Sequence, residues 1–159
     1  MKRPMAIVVI LLALGVVPAT ADTIMSFGVC TGIAGFFNDA DGRMFLPIDI
    51  SVHYQFYPRF VLRAEIGPAF SLRSTDRYLD AAFGFEIPVA SGFYGMFEVL
   101  SWMNGTSTDE EIILSVKAGG GYLWKGFFAE LNVPLAWDED GDTLVGWEIR
   151  AGYRYSLVR

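Results

Sequence analysis

Between Met44 and Phe56 the chain reads M-F-L-P-I-D-I-S-V-H-Y-Q-F, and its side chains sort by parity. Met44, Leu46, Ile48, Ile50, Val52, Tyr54 and Phe56 share one parity, while Pro47, Asp49, Ser51, His53 and Gln55 share the other. Successive side chains of a strand point to opposite faces, so this stretch builds one apolar wall and one polar wall, which a helix would mix. Its thirteen residues exceed the roughly five or six of an ordinary strand. They suit a tilted strand crossing a bilayer, for which about nine to eleven suffice.

The same alternation recurs along the chain and predicts eight strands, at 24–37, 44–56, 60–72, 78–89, 93–103, 112–122, 127–137 and 145–157. Short connections at 57–59, 90–92 and 124–126 alternate with more polar ones at 38–42, 73–77, 104–110 and 138–142, where Asn104-Gly105 is a strong turn signal. Bacterial outer-membrane barrels show this asymmetry between periplasmic turns and outer loops. In the fifth strand the pattern is weakest. Glu98 places Tyr94, Met96, Leu100 and Trp102 with itself on the polar wall and leaves Phe93, Phe97, Val99 and Met103 on the other.

Residues 1–21 stand apart from this pattern. Lys2 and Arg3 precede an apolar run from Met5 to Val17, and Ala19-Thr20-Ala21 supplies small residues for cleavage. The run falls short of the roughly twenty residues of a membrane-spanning helix, so 1–21 reads as a secretory signal peptide and 22–159 as one barrel domain. Cleavage removes two positive charges from a chain already at net −6, which argues against a nucleic-acid partner. Cys30 is the single cysteine, so no internal disulfide is possible. Mean hydropathy is +0.37, yet no stretch beyond the signal approaches eighteen uninterrupted apolar residues, which excludes helical spans. An exported chain this apolar points to a closed β-barrel.

Which wall faces inward is a matter of volume. An eight-stranded barrel has an interior just wide enough for side chains to fill it, and the apolar wall carries most of the large residues. The other wall interleaves long charged residues with Gly28, Gly32, Gly67, Gly84, Gly119, Gly121, Gly146 and Gly152, as a crowded polar interior requires. The expectation is a lumenal polar network of Asp49, His53, Arg63, Glu65, Glu86, Glu98, Lys117, Glu130, Glu148 and Arg150. Burying such charges is tolerable only when they pair or keep water. Aromatic residues near the strand ends, Phe56, Tyr57, Phe60, Phe93, Tyr122, Trp124, Phe127, Tyr153 and Tyr155 at one and Phe37, Phe70 and Trp137 at the other, match the interfacial girdles of membrane barrels.

No catalytic site, cofactor or metal site is expected. His53 is the only histidine and shares its wall with Asp49 and Ser51, but Asp49 and His53 lie about 13 Å apart along a strand, too far for the direct hydrogen bonds of a triad. The acidic turns 39–42 and 138–142 lack the first and twelfth acids of an EF-hand loop and read as solvated.

With its signal peptide, strand count and alternation, the chain resembles the small eight-stranded outer-membrane proteins of the OmpX and OmpW type. The last strand, with Trp147, Ile149, Ala151, Tyr153, Tyr155 and Leu157 alternating, is similar to the terminal assembly signal of such barrels, although it ends in Val158-Arg159 where an aromatic residue is usual. The fold implied is all-β, an eight-stranded antiparallel up-and-down transmembrane barrel in a bacterial outer membrane. The OmpW likeness implies a narrow pore for small hydrophobic solutes, and the OmpX likeness a structural or surface-interaction role. Expected partners are outer-membrane lipid, the barrel assembly machinery during biogenesis, and extracellular contacts through the acidic loops. The alternative is a secreted, soluble, lipocalin-like barrel with an apolar ligand in its lumen.

Overall fold

A computed structural model describes residues 24–37, 42–57, 59–75, 77–105, 112–137 and 142–157. Its strands are β1 (Ile24–Phe36), β2 (Met44–Tyr57), β3 (Phe60–Ser71), β4 (Arg77–Ala90), β5 (Phe93–Gly105), β6 (Ile112–Trp124), β7 (Phe127–Trp137) and β8 (Thr143–Leu157). Each pairs antiparallel with the next, and β8 pairs with β1 to close the barrel. Closure removes the open sheet edges that would leave backbone groups unpaired. The predicted signal peptide and the acidic turns at 38–41 and 138–141 lie outside the described residues.

The apolar wall faces outward. Val29, Ile50, Leu131 and Ile149 are more than half exposed, whereas Asp49, Arg63, Glu130 and Arg150 on the opposite parity are at most 3 % exposed. At the end of the barrel formed by the short turns, exposed rings pair across strands: Phe93 with Tyr122 at 4.7 Å between centroids, and Phe127 with Tyr153 at 5.0 Å. Phe37 and Trp137 are exposed at the other end, which carries the longer loops.

Two of the short turns show why they are short. Ser91-Gly92 has φ of 48° and 89°, and Lys125-Gly126 has 50° and 89°. Two consecutive positive-φ residues make a type I′ turn, whose twist matches that of the strands it joins. A Cβ on Gly126 would also sit 2.7 Å from a ring carbon of Tyr153. Gly126→Val is therefore expected to cost about 1–3 kcal/mol, read as a lowered midpoint of urea unfolding in lipid vesicles. An unchanged midpoint would show that the turn tolerates another geometry.

The structure corrects the sequence reading in three places. In β5, Glu98 is opposite Gly84 and Lys117, but Leu100 is opposite Phe83, and Ser101 is opposite Ser115. Val99 is thus the extra residue of a β-bulge, and one inserted residue moves every later position to the other face. From Leu100 onward the pairing therefore runs one residue out of step with the simple alternation. Second, Asn104-Gly105 does not turn: β5 continues through both, with Asn104 opposite Leu79 and Ile112, so pairing on two sides overrides the local turn preference. Third, the lumenal wall is not uniformly polar. Phe45, Ala69 and Tyr78 form a buried cluster near the loop end, beside a second of Ala136 and Leu144, with Phe36 packed against both.

Candidate functional site

All ten residues of the expected polar network are buried on the lumenal wall, placed there by the period-two register of seven of the eight strands. Space for the long side chains comes from glycine. A Cβ on Gly32 would lie 2.8 Å from Cγ of Arg150, and one on Gly121 would lie 2.5 Å from the hydroxyl of Tyr94.

Nearer the short turns, Arg63 is the hub. Its guanidinium donates to both oxygens of Glu130 at 2.5 and 2.9 Å, to Glu65 at 2.8 Å and to Glu86 at 3.3 Å. The Tyr94 hydroxyl donates to Glu130 at 2.6 Å. Arg154 forms a bidentate pair with Glu86, at 2.6 and 3.0 Å, and packs 5.7 Å from the rings of both Tyr94 and Phe128. Paired, planar contacts of this kind are the strong form of the carboxylate–guanidinium interaction.

Nearer the loops, Arg150 donates to Asp49 at 2.5 Å, to Glu65 at 2.6 Å and to Sγ of Cys30 at 2.9 Å. Glu65 therefore joins the two arginine hubs. Lys117 lies 3.3 Å from Glu98, 3.5 Å from Glu148 and 4.0 Å from Asp80, and Asn132 donates to Glu148 at 3.2 Å. A cavity of about 40 Å³ borders this group, lined by Asp80, Ser115, Lys117 and Glu148 and roofed by Phe36 and Phe45.

Asp80, Tyr94, Asn132 and Arg154 were not singled out from the sequence, although each falls on the lumenal parity. Asp49 and His53 are not brought together: Asp49 pairs with Arg150 and His53 with Glu86. His53 instead sits between Ser51, whose Oγ is 2.8 Å from Nε2, and Glu86, whose Oε1 is 3.0 Å from Nδ1. That is the order of a serine-hydrolase triad. However, Ser51 is 2 % exposed, the Glu86 carboxylate is already held by Arg154, and none of the three lines the cavity. Among the described residues no three His, Cys, Asp or Glu side chains converge to hold a metal ion.

No family model matches the chain, and no curated protein resembles it in sequence. Solved structures do resemble it in shape. The Yersinia pestis outer membrane protein Ail in a phospholipid bilayer nanodisc superposes with a TM-score of 0.53 at 13% identity, over 82% of this chain and 99% of that one. The crystal structure of Neisserial surface protein A (NspA) gives 0.53 at 10% identity, over 86% and 98%. The fold is that of the small eight-stranded outer-membrane barrels. At such low identity the likeness carries the architecture alone. The lumen of this eight-stranded outer-membrane-type barrel must be read from its own residues.

Proposed function

We propose that the chain is a bacterial outer-membrane protein with a structural role, a lipid-embedded barrel with a closed lumen that neither conducts solutes nor catalyses a reaction. One observation carries the reading: the lumen is filled across its width by arginine-centred ion pairs and roofed at the loop end by apolar side chains. An eight-stranded barrel leaves no wide aqueous channel once its interior is so occupied. The outward apolar wall with rings at both ends supports lipid as the surrounding medium. An apolar ligand in a soluble barrel would need the opposite arrangement, an apolar lumen and a polar exterior. The loops at the end away from the short turns are the part available for surface contacts, and β8 is the segment similar to an assembly signal.

Refolded protein in planar bilayers is expected to be electrically silent. Alanine at Glu65 or Arg150, which removes a partner shared between strands on opposite sides, is expected to introduce a leak. Steady ohmic channels from the unaltered protein would instead support narrow transport, and a monomer soluble in plain buffer would support the secreted alternative. A fluorophosphonate probe, which labels activated serines, is expected to leave Ser51 unmodified in the folded protein. Stoichiometric labelling there would replace the structural reading with an enzymatic one.

A further inference from the structure

The short-turn end of the barrel exposes charge of one sign. Among the described residues there, the exposed charged side chains are Arg59, in the turn between β2 and β3, and Lys125, in the turn between β6 and β7. The acids of the strands these turns join, Asp49, Glu65 and Glu130, are all buried in the lumen. Neither cation has a carboxylate partner among the described residues. Four strands separate the two turns in a ring of eight, so the cations stand on opposite sides of the rim.

Each cation is set among exposed rings that fix its depth. Lys125 Nζ lies 5.0 Å from the ring centroid of Trp124, which is 56 % exposed. Arg59 follows Phe56 and precedes Phe60, whose ring centroids are 6.2 Å apart. In a membrane, tryptophan rings settle at the level of the headgroups, so this belt holds both cations in the layer of the lipid phosphates. The turn gives no reason of its own for a lysine: Lys125 has φ of 50°, where Asn or Gly is the ordinary residue. A zwitterionic headgroup carries its own ammonium beside the phosphate and offers little net attraction. An anionic headgroup is favoured by about fivefold per cation at low salt.

We propose that the short-turn rim selects anionic phospholipid, with Lys125 and Arg59 each contacting the phosphodiester of a lipid such as phosphatidylglycerol in the leaflet on that side. The inference rests on the lipid-embedded reading of the outer wall and names the headgroup that one end of that wall prefers.

The test uses the barrel refolded in vesicles of mixed phosphatidylcholine and phosphatidylglycerol, with bromine on the acyl chains of one lipid at a time to quench nearby tryptophan fluorescence. Trp102→Phe, Trp137→Phe and Trp147→Phe together leave Trp124 as the sole tryptophan, a reporter beside Lys125. Heat-modifiable gel mobility checks that each variant is folded. Quenching is expected to show about a fivefold local preference for phosphatidylglycerol at low salt. The preference is expected to fall toward parity at about 1 M salt, where screening acts within roughly 3 Å. Lys125→Gln is expected to remove it, whereas Arg59→Gln, across the ring, leaves it intact. Phe60→Trp combined with Trp124→Phe moves the reporter beside Arg59, and the effects of the two variants are then expected to exchange. Equal quenching by both lipids at low salt overturns the proposal. So does a preference at Trp124 that survives Lys125→Gln, or one that Arg59→Gln removes as fully. Tryptophan quenched by neither lipid overturns the lipid-embedded reading as well, which keeps the two failures distinct.

Discussion

Arg63→Met is expected to destabilise the barrel by about 3–5 kcal/mol, the range for breaking a buried ion pair by removing one partner. The cause is what remains. Glu65 keeps Arg150 and Glu86 keeps Arg154, but Glu130 is left with the Tyr94 hydroxyl as its hydrogen-bond donor, in a site that is 3 % exposed. Methionine fills much of the arginine stem's volume, so the loss reports charge more than packing. Urea unfolding in lipid vesicles measures it. Adding Glu130→Gln to the same chain is expected to recover a large share of the loss, because residues in one network couple strongly. A single-variant loss below about 1 kcal/mol would mean that water solvates Glu130, and the lumen would then be open instead of packed.

Leu131→Arg is the second large effect, expected to cost about 2–4 kcal/mol if the side chain sits near the bilayer midplane. Leu131 lies near the middle of β7, is 61 % exposed, and is flanked in register by Gly120 and Ile149. On a soluble protein an exposed Leu→Arg change away from special features stays within about 0.5 kcal/mol. The same substitution therefore separates the two environments by its magnitude. Unfolding of the variant in lipid vesicles provides the measurement, and a stability equal to that of the unaltered chain would remove lipid from the outer wall.

Much of the architecture is legible in the residues. Apart from β5 and register shifts near the ends of β2 (Gln55 to Tyr57) and β4 (Pro88 to Ala90), the alternation holds, and a polar residue such as Glu65 or Arg150 at a given parity fixes the face of its strand. The Val99 bulge breaks the rule because nothing in F-E-V-L-S-W announces an extra residue. The slip becomes visible only when the register with β4 and β6 is compared on either side of it. Phe36 and Phe45 went unread for another reason. They fall on the polar parity, and single apolar residues at strand ends are uninformative until β1–β2 pairing brings them to 6.3 Å and the curl of the sheet sets Tyr78 of β4 alongside Phe45.

Alternation, a property of each strand taken singly, determined which side chains share a wall, and the bulk of the apolar set determined that it must face outward. Partnership inside the lumen is a property of the closed ring. Arg63 meets Glu130 from β3 to β7, and Arg150 meets Glu65 from β8 to β3, across a space whose width and stagger depend on all eight registers at once. Sequence supplies the number of acids and bases, but the height of each above the turns, and so which partners it meets, is settled only when the strands are locked against one another.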